Sequence, residues 1–245
     1  MHAIIAGRKP IIEALKAGTS IEKIVFLPHV QGRIIQEIKG LAQKNGVQVV
    51  EAKKHEFREL ANDTTTQGVV AIVTSKDFVS VDDILAAART RNEKGCVLIC
   101  DEIEDPHNLG ALVRTAECAG VHGVIIPKHH AASVTATVVK VSAGATEHLA
   151  IAEVTNIVNT IERLKEMEYW IVGLDEKADQ LYTEIDYTAQ IALVVGNEGK
   201  GIRRLVKEHC DHLVRIPLLG KIDSLNASVA GGLVMYEVVK QRHSK

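Results

Sequence analysis

The sequence predicts an α/β protein in two parts. A small N-terminal α/β domain spans residues 1–74, a linker spans 75–92, and a larger domain built on a parallel sheet spans 93–245. Three observations predict this. From Gly95 onward, short apolar runs alternate with helical stretches, the pattern of successive β–α–β units. Hydrophobic residues fill 46% of the 245 positions but aromatic ones only 3%. The core is therefore Val, Ile, Leu and Ala, which suits strands buried on both faces. Several apolar runs also break into Gly- or Pro-containing loops that lead into helical sequence, and parallel sheets place ligand sites at such strand ends.

In the first part, Gly7 to Ala17 carries Pro10 near a helix start and stops at Gly18. Ile21 to Leu27 reads as a strand, Arg33 to Lys44 as an amphipathic helix, and Val47 to Glu51 as a second strand followed by a short charged helix. Val69 to Val73 closes the unit as a strand. Residues 75–92 are polar and charged and end in a short helix, with the boundary between Ser75 and Asp82. Beyond it come a strand at Cys96–Cys100, a helix from Asn108, a strand at Gly123–Ile126, a helix around Val134–Val141 and a strand at Leu149–Ile151. A helix over Asn156–Met167 follows, then strands at Trp170–Leu174 and Ile191–Val195, a short helix from Ile202, a strand at Leu213–Ile216, and a helix from Ser224 to the end.

Composition excludes several classes. No apolar run approaches a membrane span, and the N-terminus lacks a signal-peptide pattern, so the expected setting is the cytoplasm. Cys96, Cys100, Cys118 and Cys210 match no zinc or redox spacing and read as buried free thiols. The His129–His130 pair has no carboxylate or thiol at ligand spacing, so no metal is expected. Net charge is −2, but residues 1–75 hold ten Lys/Arg against seven Asp/Glu, a mildly basic balance compatible with a phosphate backbone.

Three phrases carry the chemistry. Asn108-x-Gly110-x3-Arg114-Thr115-Ala116 comes first, Gly196-x-Glu198-x2-Gly201 second, and Ile216-Pro217 followed by Ser224-Leu225-Asn226 third. In that order and spacing they resemble the three motifs of the SpoU (TrmH-like) family of RNA ribose 2′-O-methyltransferases, within the SPOUT superfamily. The branch with the nearest likeness is the RlmB-like one, which modifies a guanosine of 23S ribosomal RNA. The resemblance implies a C-terminal SPOUT domain with a trefoil knot, an N-terminal domain similar to a ribosomal-protein RNA-binding fold, and a homodimer. Where such proteins often carry His-Gln-Gly before the last strand of that domain, this chain has Thr66-Gln67-Gly68, so the His contact does not carry over.

The implied donor is S-adenosylmethionine, bound largely by backbone at Gly196, Ile216, Leu218 and Leu225. The implied catalytic set is Arg114, Asn108, Glu198, Ser224 and Asn226. Arg114 is the deprotonating or phosphate-clamping group; a guanidinium holds its proton tightly, which favours the clamp. Asn108 orients Arg114 or the RNA, and is also a good N-cap. Glu198 fixes a loop or accepts from Asn108, and Ser224 and Asn226 open the last helix. Lys200, Arg203, Arg204 and Lys221 are candidate phosphate contacts, or simply a solvated face. A tRNA ribose methyltransferase and a non-catalytic RNA-binding or ribosome-assembly factor are the alternatives. A dinucleotide-dependent oxidoreductase is disfavoured, because no Gly-x-Gly-x-x-Gly follows the first strand of the larger domain.

Overall fold

The computed structural model describes residues 3–16, 19, 21–61, 66–73 and 78–243. The expected helix stop at Gly18 and the linker residues 75–77 lie outside the described residues. The chain forms two compact units, Met1–Asp77 with Val134–Thr137, and Phe78–Ser133 with Val138–Lys245.

The first unit runs β1 (Ala3–Ala6), α1 (Arg8–Lys16), β2 (Ile21–Phe26), α2 (Arg33–Lys44), β3 (Gln48–Glu51), α3 (Lys54–Ala61) and β4 (Val69–Val73). Its sheet has the order β1-β4-β2-β3, antiparallel except for the β2–β3 pair. Strand alternation divides the apolar side chains between two faces. Ile24, Phe26, Val69 and Ala71 pack with Ile11, Leu15, Ile35 and Ile38, while Val25, Val70 and Ile72 pack with Phe57. The short β1, missed in the sequence, pairs with β4.

The second unit runs α4 (Val81–Thr90), β5 (Cys96–Asp101), α5 (Pro106–Cys118), β6 (Gly123–Pro127), α6 (Ala136–Val141) from Val138 on, β7 (Ala150–Val154), α7 (Ile157–Glu166), β8 (Trp170–Leu174), β9 (Gln180–Leu181), β10 (Ile191–Gly196), α8 (Arg204–Glu208), β11 (His212–Arg215) and α9 (Ala227–His243). The seven strands lie in the order β7-β6-β5-β10-β8-β11-β9, all pairs parallel. Every residue of β5 and of β10 is buried, as strands covered on both faces require. The chain moves outward from β5 through β6 to β7 and then builds on the opposite side of β5. Strand order therefore reverses between β5 and β10, and open parallel sheets bind ligands in the crevice at such a reversal.

The short helix expected at the end of the linker 75–92 is α4, Val81–Thr90. Val79 bridges Ala152, Ser80 caps α4 through Asp83, and Ile84, Leu85 and Ala88 are buried in the second unit's core. The charged residues that suggested a linker are the solvent face of a packed helix. Two helix starts also move. Asp105 caps α5 by accepting from the His107 N–H at 2.9 Å, so Asn108 stands in the first turn, buried. The last helix begins at Ala227 with Asn226 as its cap, which leaves Ser224 in the preceding loop. Among the described residues, no helix is long and apolar enough to cross a membrane, and no cluster of His, Cys, Asp or Glu could hold a metal. Cys96 and Cys100 are buried, their thiols pushed up to about 11 and about 12 mainly by burial, whereas Cys118 is exposed against expectation.

Candidate active site at the carboxyl ends of the strands

At the reversal point Gly196 of β10 stands opposite Asp101 of β5. Beyond Gly196 the chain folds back on itself. The Asn197 carbonyl accepts from the Gly201 N–H at 2.7 Å, and Asn197 Oδ1 accepts from the N–H groups of Gly199 at 2.9 Å and Lys200 at 3.3 Å. Gly201 takes φ 67, where a side chain is strained. A Cβ on Gly196 would lie 2.3 Å from backbone atoms of Gly201 and Ile202, so only glycine permits this return.

The loop borders a cleft of about 230 Å³. Its other walls come from the end of β8 (Leu174, Asp175, Lys177), the end of β11 (Arg215, Ile216) and the segment into α9 (Leu218, Ser224, Leu225, Ala227). The lining mixes aliphatic residues and glycines with acidic Asp175, Glu176 and Glu198 and basic Lys177, Lys200, Lys207 and Arg215. Burial pushes the Asp175 carboxyl up, but hydrogen bonds from Lys207 and the Lys177 N–H outweigh it and hold the group below its ordinary value.

One line of hydrogen bonds joins the three motifs. Asn226 Oδ1 accepts from the backbone N–H groups of Ser228 at 3.0 Å and Val229 at 3.3 Å, capping α9. Its Nδ2 donates to Asn108 Oδ1 at 2.8 Å, and Asn108 Nδ2 donates to Glu198 Oε1. The ends fix the direction of the line: backbone N–H groups can only donate, and a carboxylate can only accept. Both amide orientations follow. Glu198 is thus presented at the cleft by a relay that reaches back into α9.

The structure therefore gathers Gly196, Glu198, Ile216, Leu218, Ser224 and Leu225 on the cleft wall and ties Asn108 and Asn226 to it. Arg114 is different. It is exposed on α5, outside the cleft lining, and its side chain bonds to none of the described residues. Asn108 and Arg114 share no hydrogen bond; the Asn108 amide meets Glu198 and Asn226. Two candidate phosphate contacts are also committed: Arg203 to Asp101, and Arg204 to Glu208 at 2.5 Å. Lys200 and Lys221 are exposed. Asp101, Asn197 and the Asp175–Lys207 pair were missed by sequence reasoning. The one available signal was Asp101, a charge closing the apolar run Cys-Val-Leu-Ile-Cys.

Comparison with known proteins places this geometry. The SpoU rRNA Methylase family matches residues 95–236, and the substrate-binding domain of RNA 2′-O ribose methyltransferases matches residues 4–79. A Bacillus subtilis (strain 168) protein assigned to the TrmH family of tRNA/rRNA methyltransferases, YacO, is 42% identical over 99% of this chain and 97% of its own length. Among solved structures, the SpoU methyltransferase AviRb from Streptomyces viridochromogenes in complex with the cofactor AdoMet aligns with TM-score 0.64 and 25% identity, over 100% of this chain and 92% of that one. The A. aeolicus TrmH/SpoU tRNA modifying enzyme aligns with TM-score 0.57 and 29% identity, over 66% of this chain and 84% of that one.

Proposed function

Because the chain belongs to the SpoU family of RNA methylases, we propose that it transfers a methyl group from S-adenosylmethionine to a ribose 2′-hydroxyl, on a guanosine of 23S ribosomal RNA. The Asn226–Asn108–Glu198 line carries this reading, since it joins all three motifs at the mouth of one cleft. The cleft suits the donor. Backbone folded tightly at Gly196 offers N–H and C=O groups at close range, and Ile216, Leu218 and Leu225 offer an adenine apolar surface. Half-exposed Leu218 has surface for such a ligand to cover.

S-adenosylmethionine supplies a methyl group already activated on a sulfonium, so this transfer needs no metal. The protein's share is alignment of the two reactants and relief of charge on the ribose oxygen. Arg114 clamps a substrate phosphate beside that oxygen and eases loss of its proton, Glu198 and Asn108 fix the loop against the substrate, and Ser224 and Asn226 shape the cleft's rim. The family's trefoil knot belongs to the same proposal. The last helix packs on α5 and β10, where a Cβ on Gly231 would lie 2.6 Å from Leu112 and 3.2 Å from Val195. We assign the work to the cytoplasm.

The test is to map 2′-O-methyl sites in total RNA with and without the protein, and to repeat the transfer in vitro with labelled donor. A missing methyl on a 23S guanosine supports the proposal; one missing on tRNA moves the substrate there. Calorimetry that shows NAD binding and no adenosylmethionine signal would sink it.

Two expectations accompany this function. Residues 1–74 act as the RNA-reading module, in line with the substrate-binding match over 4–79. A chain starting at Phe78, which keeps Val79, the Ser80 cap and the 2.5 Å Arg163–Asp82 ion pair, should retain donor binding and lose selective methylation. Full-rate methylation of the same nucleotide by that shortened chain would refute the assignment. The protein should also be a homodimer. The small residues of α5 and α9 serve their own packing, but Val229, Leu233 and Tyr236 form an exposed apolar stripe on α9, with Leu219 and Ile222 exposed just before it. Light scattering should give twice the chain mass at micromolar concentration; a stable monomer under active conditions argues against the dimer.

A further inference from the structure

We propose that Arg203 is a positioning residue for methyl transfer: by gripping the buried carboxylate of Asp101, it sets the loop 197–203 so that Glu198 meets Asn108 and the cleft wall is in place. The proposal rests on the methyltransferase reading above.

Asp101 ends β5 with no exposed surface. A carboxylate cut off from water needs its oxygens filled by donors. Among the described residues, its three donors all come from Arg203, 102 positions away. The Arg203 N–H donates to Oδ2 at 2.8 Å, and its Nε and Nη2 donate to Oδ1 at 2.8 and 2.5 Å. Donating to the Asp101 carboxylate holds the Arg203 guanidinium above its ordinary value.

The position of this grip gives it a role. Asp101 and Gly196 are register partners, the last paired residues before the two chains part. From Asp101 the chain runs into α5 and Asn108; from Gly196 it runs into the loop and Glu198. Arg203 closes the far end of that loop. Its guanidinium therefore ties together the two segments whose tips make the Asn108–Glu198 hydrogen bond. Two weaker ties lie alongside: Asn197 Nδ2 donates to the Glu102 carbonyl at 3.2 Å, and Arg203 Nη1 lies 3.5 Å from Glu102 Oε1. Glu102 itself sits at φ 57, an uncommon conformation for a residue with a side chain, so these ties hold a bent exit from β5. Arg203 does not line the cleft, so it acts through the loop. The fork matters, because an ammonium cannot present two fixed donors to one carboxylate and reach Glu102 as well.

The test compares wild type, Arg203→Ala and Arg203→Lys in transfer kinetics and in amide hydrogen exchange. R203A should transfer about a hundredfold more slowly, the scale of an ångström-sized misplacement at a reaction centre. Its KM for S-adenosylmethionine should rise while its KM for RNA stays at the wild-type value. Amides of 197–203 should exchange faster while β5 and β10 keep their protection, and R203K should recover little. If R203A does not fold, R203K carries the same measurements. A variant that only melts earlier, with unchanged kcat and both KM values, would show a structural staple and overturn the proposal. So would full rescue by lysine, or unchanged exchange in the loop. If the wild-type protein methylates no RNA, the underlying reading fails, and the exchange measurement alone decides whether Arg203 holds the loop.

Discussion

Alanine at Gly196 should cost the protein its methyl donor, while alanine three residues later should cost almost nothing. The two glycines share one loop but not one environment. A Cβ at Gly196 would lie 2.3 Å from the Gly201 carbonyl carbon and the Ile202 nitrogen, and 2.4 Å from the Gly201 oxygen. These are backbone atoms of a segment cross-linked through Asn197 and Arg203, so no rotamer change relieves the clash. The loop must open, and the cleft wall from Gly196 to Gly201 opens with it. Overpacking of this kind costs about 1–3 kcal/mol of stability. At Gly199 the nearest atom to an added Cβ is Asn197 Oδ1 at 3.6 Å, an ordinary contact. Gly201 falls between: space is free, but φ 67 strains any side chain by about 1–2 kcal/mol. Calorimetric titration with S-adenosylmethionine and denaturant midpoints for the three variants check the ranking. Wild-type donor affinity in Gly196→Ala would show that the tight return does not shape the cleft.

The contrast between these glycines also marks how far the sequence could be read. The strand at 191–196, the loop after it and the motif residues were visible, because an apolar run broken by Gly-Asn-Glu-Gly is a local signal. Helices with a strong apolar face, such as Arg33–Lys44, came out with their ends in place. Elements whose pairing is decided at a distance did not. β1 and β9 have four and two residues and exist because β4 and β11 offer them an edge. Residues 75–92 read as a linker ending in a short helix because half of α4 faces solvent, and its burial depends on strands far along the chain. In the site, the motifs named Asn108, Glu198 and Asn226 and offered Asn108 as one partner of Glu198, but gave no link from Asn226 to Asn108. That they form one hydrogen-bonded line is a fact of tertiary structure, spanning separations of 90 and 118 residues. Arg203 read as a phosphate contact or a solvated cation because its partner, Asp101, lies 102 residues away.

Arg114→Ala should leave the fold and the donor site intact and lower methyl transfer by at least about a hundredfold, a typical loss for a positioned acid–base or charge-stabilising group. The first half follows from what Arg114 does not do. Its side chain is exposed, forms no bond with the described residues and takes no part in the cleft or in the Asn226–Asn108–Glu198 line. Surface substitutions away from such features shift stability by about 0.5 kcal/mol or less. The second half follows from the proposed chemistry. A ribose hydroxyl releases its proton far above neutral pH, so a fixed cation beside it and its neighbouring phosphate contributes only as the negative charge develops. Such an interaction appears in kcat more than in donor affinity. Arg114→Lys should recover little, because a point charge lacks the fork that grips phosphate and oxygen together. Melting temperature, donor titration and single-turnover methylation, measured on the same three proteins, separate the outcomes. Full activity in the lysine variant would reduce Arg114 to a positive charge near the backbone. An unchanged rate in the alanine variant with RNA still bound would remove Arg114 from the mechanism and leave the proton step to another group.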